Sequence, residues 1–271
     1  MTSFSNAPLD RRALLRNGGL MLSFGAVIAA CGTDRAGSTD PGRLGVAAPG
    51  PTLPEAEVDD GVLLRTAQSI EHTALAVYEA AADLGVFGSD ETALVARFVS
   101  DHERHAADLG TLITGAGAEE FTCPNPFLMD RIVDPVLAAI GDDSDDLHRD
   151  VLNIAYAFES LAGASYQALV ALIEGKPLRI AAMRIGGEEH RHAAALASAI
   201  NPDDPISPVL MGEIAEANDE GFMLPYAIPS TFGRLTGIDL VVGKRNAEGT
   251  RFATQLQTPA ANAFVYHYES C

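Results

Sequence analysis

Apolar residues recur at helical spacing in four long segments of the chain. These segments cover residues 60–84, 90–114, 147–174 and 177–200. In each one, apolar side chains at intervals of three and four positions form a single stripe, which is the pattern of an amphipathic helix. Glycines interrupt the pattern within each pair, at Gly85 and Gly88 and again at Gly175. The pattern predicts two helix pairs, each with a short turn.

A long connection joins the two pairs, and an irregular segment follows them. The connection covers residues 116–146 and includes a short predicted helix around 128–140. Short turns within each pair and one long crossover between them predict an all-α four-helix bundle over residues 59–200. Prolines interrupt the chain between residues 202 and 229, and strand-like composition follows at 238–242, 251–257 and 263–268. Residues 201–271 are therefore expected to form an irregular, partly β extension packed on the bundle.

The first residues have the features of an export signal rather than of a fold. Arg11 and Arg12 precede an apolar stretch that ends Ile28-Ala29-Ala30-Cys31. Paired arginines before a short apolar core are typical of a Tat signal peptide, and the final four residues resemble the lipobox of bacterial lipoproteins. The prediction is a signal peptide over residues 1–31 that ends at a lipidated Cys31, and a flexible tether over 32–58. The alternative is an ordinary cleaved signal in which Cys31 has no such role.

Charge and cysteine content narrow the functional classes. The net charge is −19 and 47% of the residues are hydrophobic. No clustered basic surface is visible, so a nucleic-acid partner is not expected, and no apolar run is long enough to span a membrane. Membrane contact is expected only through the lipid anchor, on the outer face of the cytoplasmic membrane. In that oxidising compartment Cys123 and Cys271 are a candidate disulfide pair.

The two helix pairs repeat one another in sequence. Glu71 lies 34 residues before His105, and Glu159 lies 33 residues before His192. The surrounding sequences also match, with HERHAA from residue 102 and EHRHAA from residue 189. A repeated helix pair implies a pseudo-twofold bundle in which equivalent residues face one central point.

The residues of this repeat are typical metal ligands. Glu189 and His192 are three positions apart and therefore lie on one face of a helix. Several carboxylates buried together would repel one another, whereas a divalent cation between them would neutralise their charge. Carboxylate and imidazole together favour iron, manganese or zinc over calcium. Glu71 and Glu159 could instead lie on solvated faces, but each falls among Ala, Leu and Tyr on the predicted inward stripe.

With these residues the chain resembles the ferritin-like di-iron carboxylate superfamily, and within it the exported bacterial ferritin-like domain proteins. In that superfamily two helices each supply a Glu, and two others each supply Glu-x-x-His. The resemblance covers residues 60–200 and implies a ferritin-like four-helix bundle that holds iron or manganese. It implies terminal carboxylates at Glu71 and Glu159, a bridging carboxylate at Glu189, and terminal imidazoles at His105 and His192.

The chain departs from that pattern at His102, where a second bridging Glu is expected. Three explanations are open. The site holds one metal with His102 as an extra nitrogen ligand; Asp101 supplies the missing oxygen; or the site has lost its metal. Tyr78 and Tyr166 are expected in the core, with hydroxyls bonded to the carboxylates. Glu188 is assigned to a solvated face or a salt bridge, and Gly186 and Gly187 mark either close packing or a late helix start.

Two functions follow from these observations. The first is a lipid-anchored metal protein of the cell envelope in which, as the resemblance implies, reduction of O₂ or peroxide is coupled to metal oxidation. The second is a metal-free bundle that serves as an envelope scaffold or interaction module. The sequence leaves open whether the protein is an enzyme, which redox or protein partner it has, and whether it forms a homo-oligomer.

Overall fold

The computed structural model describes residues 57–141, 143–200, 238–256 and 263–271 of the chain. The predicted signal peptide with Cys31, almost all of the predicted tether, and residues 201–237 of the predicted extension lie outside these ranges. None of the helices described is long and apolar enough to cross a membrane.

Four long helices form the bundle that the apolar pattern predicts. They are α1 (Asp60–Asp83), α2 (Ser89–Gly115), α5 (Leu147–Leu172) and α6 (Lys176–Ile200). The crossover contains α3 (Pro126–Leu128), a π-helical turn (Met129–Val133) and α4 (Asp134–Ile140). Helix α1 packs along α2, and α5 packs along α6, so neighbours in the chain form the two predicted pairs. The all-α fold expected from the sequence is confirmed, with a small C-terminal part that contains two strands.

Short polar side chains set where the helices begin. Asp59 accepts a hydrogen bond from the backbone N–H of Val62, and Asp146 accepts one from that of Arg149. Asn125 caps α3, whose first residue is the proline that this position tolerates. The carboxylate of Asp60 also accepts hydrogen bonds from the backbone at 174 and 175, which ties the α5–α6 turn to the start of α1.

The bundle core consists of two apolar clusters. One surrounds Ile70, Ala74 and Phe98, and the other surrounds Leu63 and Leu109. On α2 and α6 the buried polar residues of the repeat lie between these clusters, and on α1 and α5 Glu71 and Glu159 lie beside residues of the first cluster. The polar interior is therefore bounded above and below by apolar side chains along the bundle axis.

A hairpin packs against α5 at one end of the bundle. Strands β1 (Ile238–Val242) and β2 (Phe252–Leu256) pair antiparallel, with Leu240 opposite Thr254. The guanidinium of Arg251 pairs with the carboxylate of Asp150, which is fully buried on α5. Asp150 also accepts hydrogen bonds from Gly243 and Ser144, so one buried carboxylate anchors the hairpin.

The prediction of a third strand at 263–268 is wrong. Residues 263–271 are all described, and no strand forms among them. Their backbone groups bond to side chains of the crossover and of α1 instead: Asn125 donates to the carbonyl of Ala263, and Val265 donates to the Thr66 hydroxyl. The buried guanidinium of Arg65 donates to the carbonyls of Tyr266 and Glu269. These bonds replace the ladder that a strand would need.

The structure joins Cys123 and Cys271 in a disulfide, with 5.8 Å between their Cα atoms. The bond links the crossover to the end of the chain. Arg65 acts at the same place, because its guanidinium also donates to the carbonyl of Glu119 in the crossover. The disulfide thus joins the two irregular segments to each other, and the buried cation of Arg65 joins both of them to α1.

Candidate metal centre

Six buried carboxylate and imidazole side chains meet in the interior of the bundle, and all four long helices contribute. Helix α1 supplies Glu71, α5 supplies Glu159, α2 supplies His102 and His105, and α6 supplies Glu189 and His192. None of the six is more than 4% exposed. The two predicted carboxylates of α1 and α5 therefore face inward, as the apolar stripe indicated.

The first half of this cluster is built around Glu71 and His105. Nδ1 of His105 lies 3.4 Å from Oε2 of Glu71 and 2.8 Å from Oε1 of Glu189. Nδ1 of His102 lies 2.7 Å from Oε2 of Glu71. Each of these four residues offers one ligand atom, and the four atoms lie within 4.8 Å of one another.

The second half repeats this arrangement around Glu159 and His192. Nδ1 of His192 lies 3.3 Å from Oε2 of Glu159 and 3.5 Å from Oε2 of Glu189. Nε2 of His102 lies 3.0 Å from Oε1 of Glu159. Again four ligand atoms lie within 4.8 Å of one another. Glu189 and His102 belong to both halves, which gives the site the pseudo-twofold symmetry that the sequence repeat implied.

The two tyrosines of the repeat cross between the halves. Tyr78 on α1 donates to Oε1 of Glu159 on α5, and Tyr166 on α5 donates to Oε1 of Glu71 on α1. Each hydroxyl thereby fixes the carboxylate of the opposite helix, and the second oxygen of each carboxylate lies near Nδ1 of a terminal histidine. The sequence indicated that the tyrosines bond to carboxylates, but not that the bonds cross.

Asp101 and Glu188 hold the outer nitrogens of the two terminal histidines. Nε2 of His105 lies 2.8 Å from Glu188, and Nε2 of His192 lies 3.4 Å from Asp101. A carboxylate at Nε2 fixes the ring orientation and leaves Nδ1 free to bind an ion. Asp101 belongs to neither group of four ligands, and its carboxylate pairs with Arg97 and Arg104.

The sequence did not reveal the contact of Glu188 with His105. It predicted only that Glu188 lies on a solvated face or in a salt bridge. This residue does form a salt bridge, since Arg104 pairs with both Glu188 (2.6 Å) and Asp101 (2.9 Å). The signal that could have identified it is the repeat itself. Asp101 and Glu188 each stand four residues before a terminal histidine, which places them on the same helix face.

The close contacts shift the pKa values of the cluster in opposite directions. Burial opposes ionisation of Glu71, but the histidine contacts outweigh it and lower the pKa of Glu71 to about 2. Burial also opposes protonation of the terminal histidines, yet the neighbouring carboxylates raise the pKa of His105 to about 10 and that of His192 to about 9. Burial and the neighbouring charges of Glu71 and Glu159 raise the pKa of Glu189 to about 7. Without an added cation, the site thus retains protons at neutral pH.

Glu189 is the least satisfied residue of the site. Both of its carboxylate oxygens are buried without a hydrogen-bond partner, and so is Nδ1 of His105. Oε1 of Glu189 and this nitrogen nevertheless lie only 2.8 Å apart. Buried polar atoms of native proteins are nearly always bonded, and an unbonded one calls for an explanation. Carboxylate oxygens and an imidazole nitrogen that converge on a common point have the arrangement of ligands around an ion, whose binding would displace the proton of the imidazole.

Gly186 allows α6 to approach α5 beside the site. A Cβ at this position would lie 2.7 Å from Cβ of Tyr166, whereas a Cβ at Gly187 would meet nothing within 4 Å. Helix α6 runs without a break from Lys176, so the glycine pair does not mark a late helix start. The close approach places Glu189 and His192 opposite Glu159.

The ligand set fits iron or manganese. Mixed carboxylate and imidazole ligands suit both metals, and the set has no thiolate, which softer metals favour. The terminal histidines have carboxylates at their outer nitrogens, as metal-binding histidines usually do. The residues present therefore satisfy the chemical requirements of such a centre.

Comparison with known proteins agrees with this geometry. A family model described as a ferritin-like domain matches residues 59–202, which is more than half of the chain. No curated protein and no solved structure matches the chain. The matched residues begin just before α1 and end just after α6, and so contain every residue of the buried cluster. The chain belongs to the ferritin-like domain family.

Proposed function

We propose that this protein binds iron or manganese in its bundle core and acts in redox chemistry of the ferroxidase or peroxide-reducing type. The observation that carries the proposal is the pair of unsatisfied oxygens on Glu189 beside the unsatisfied Nδ1 of His105. A divalent cation would accept these lone pairs and neutralise carboxylates that otherwise repel one another.

The chain prepares the centre before any ion binds. Tyr78 and Tyr166 hold the terminal carboxylates, and Asp101 and Glu188 orient the terminal imidazoles. The apolar clusters along the bundle axis limit water, which strengthens every charge interaction between them. A bound iron or manganese ion would supply the capacity to donate electrons to O₂ or peroxide. The protein contributes fixed ligands and a low-dielectric surrounding.

Metal analysis of protein purified without chelators tests the proposal, followed by optical titration with ferrous iron in air. We expect stoichiometric metal and a near-ultraviolet charge-transfer absorption that saturates with added iron. The double variant Glu189→Ala/His192→Ala should lose both. Glu189→Gln keeps the shape of the side chain and removes its charge, so it provides a second test if the double variant does not fold.

A matched control is Glu103→Ala/His148→Ala, because both of these side chains are exposed and neither belongs to the buried cluster. This variant should bind metal as the unmodified protein does. Metal content and absorption unchanged in folded Glu189→Gln and in the double variant would refute the proposed site.

A metal-free scaffold is the second candidate, and one observation favours it. The ring of His102 contacts both Glu71 and Glu159, and the charges and hydrogen bonds of the surrounding carboxylates raise its pKa well above its usual value despite burial. A protonated His102 is thus an internal cation that takes the place of an ion. Thermal unfolding separates the candidates, since an ion that binds only the folded chain raises the melting temperature. Equal melting temperatures with and without metal would favour the scaffold.

We also propose that the protein is exported by the Tat route and anchored by a lipid at Cys31, on the evidence of its N-terminal sequence. Replacing Arg11 and Arg12 with Lys should stop export, and Cys31→Ala should release the protein from membranes. Export that continues in the first variant, or membrane association that persists in the second, would refute the corresponding assignment.

A further inference from the structure

His102 stands where the family pattern has a second bridging carboxylate, and its ring spans the two halves of the site. Nδ1 lies 2.7 Å from Glu71 of the first half, and Nε2 lies 3.0 Å from Glu159 of the second half. The side chain is fully buried, and its two ring nitrogens contact carboxylates of different halves. A histidine added to a single ion would present only one nitrogen to it.

Glu189 spans the same two halves from the opposite helix. Its Oε1 lies 2.8 Å from Nδ1 of His105, and its Oε2 lies 3.5 Å from Nδ1 of His192. Nδ1 of His102 also lies 3.8 Å from Oε2 of Glu189, but the shortest contacts of the two shared residues assign one atom of each residue to each half. If the site held a single ion, the terminal ligands of one half would have no ion to bind.

We propose that His102 is a bridging ligand that binds one metal ion through Nδ1 and a second through Nε2. The inference rests on the proposed metal binding and adds that the site holds two ions joined by an imidazole ring. Each metal–nitrogen bond replaces one N–H bond of the protonated ring, so two protons pass to solvent and no electron is transferred. Glu71 and His105 complete one position, and Glu159 and His192 complete the other.

The bridge sets the spacing of the two ions. Bonds of about 2.0–2.1 Å on opposite sides of a five-membered ring place the ions about 6 Å apart. Ions joined only by carboxylates or a shared oxygen atom lie about 3.5–4 Å apart in two-metal sites. The spacing therefore distinguishes an imidazole bridge from the usual one, whether or not the protein turns over a substrate.

Manganese provides the direct test. Metal-free protein is titrated with Mn²⁺, the bound ions are counted, and pulsed electron paramagnetic resonance measures the magnetic dipolar coupling of the pair. Dipolar coupling falls with the cube of the separation, so a spacing of about 6 Å gives a coupling roughly fourfold weaker than the usual two-metal spacing of about 3.5–4 Å. We expect two ions and the weak coupling. His102→Glu should shorten the spacing and raise the coupling roughly fourfold, while the control His148→Glu, at an exposed histidine, should change neither.

The outcomes distinguish failure of the proposed metal binding from failure of the imidazole bridge. Failure to bind Mn²⁺ or Fe²⁺ would overturn the proposed function and this inference with it. One bound ion, or two ions with the strong coupling, would overturn the bridge and leave metal binding in place. Because the unmodified protein gives its own spacing, the test holds even if His102→Glu does not fold.

Discussion

The close approach of α6 to α5 can be tested with two neighbouring glycines that differ in one respect. Replacing Gly186 with Ala would place a Cβ 2.7 Å from Cβ of Tyr166, a distance at which one of the helices must shift. Replacing Gly187 with Ala would place a Cβ in open space, with nothing within 4 Å. The two variants thus share their chemistry and their helix and differ in packing.

The magnitude follows from two opposing contributions. Gly→Ala within a helix stabilises the folded chain by about 1 kcal/mol, because it reduces the backbone freedom of the unfolded state. Forcing an extra methyl group into a closely packed contact costs about 1–3 kcal/mol. Gly187→Ala should therefore raise the free energy of unfolding by about 1 kcal/mol. Gly186→Ala should lower it by up to about 2 kcal/mol, which leaves a difference of about 1–3 kcal/mol between the variants.

Urea unfolding of the metal-free, disulfide-intact protein measures this difference without a contribution from ion binding. With a slope of about 2 kcal/mol per M, the midpoints should differ by about 0.5–1.5 M urea. Gly186→Ala should also weaken metal binding, since the displaced Tyr166 holds the carboxylate of Glu71. Equal midpoints for the two variants would refute the argument that this glycine sets the helix spacing.

Two further predictions concern charges in the bundle. In the metal-free protein the pKa values of His105 and His192 are raised to about 10 and about 9. Above pH 6.5 the folded chain therefore binds more protons than the unfolded chain. The free energy of unfolding should consequently fall from pH 7 to pH 10. Stability that is constant or rising over this range in urea titrations would contradict the assignment. Arg251→Met leaves the buried carboxylate of Asp150 without its cation and should cost about 3–5 kcal/mol in urea unfolding. Lys244→Met in the same hairpin removes an exposed ion pair and should leave the midpoint unchanged, and equal effects of the two substitutions would refute the argument.

Part of the site could be predicted from local sequence alone. The spacing of apolar residues identifies the helix stripe on which Glu71 and Glu159 lie, and the spacing of three residues places Glu189 and His192 on one face. These are properties of single helices, so they need no knowledge of how helices pack. The repeat then adds that equivalent residues approach one another.

Other parts of the site depend on contacts between distant segments. Asp101 contacts His192, and Glu188 contacts His105, across more than 80 residues of sequence and between two different helices. The sequence shows both carboxylates on suitable helix faces, but the same residues would fit exposed salt bridges equally well. Helix packing decides between the two, because it determines which side chains of α2 and α6 come within reach.

The backbone hydrogen bonds of the C-terminal residues also could not be predicted from the sequence. Residues 263–268 have strand-like composition, yet their backbone groups bond to Arg65, Asn125 and Thr66. Amino-acid composition indicates only that a segment favours the strand conformation. The groups that bond to its backbone N–H and C=O depend on the surface against which the segment packs.

The sequence by itself determined the four helices, the two-fold repeat and the inward placement of the acidic residues, because these follow from periodicity along one helix. Only the tertiary structure decided that the tyrosines exchange partners between α1 and α5, and that the His102 ring lies between both halves. The direction of a buried side chain depends on the packing of all four helices around it, and no local pattern records that packing.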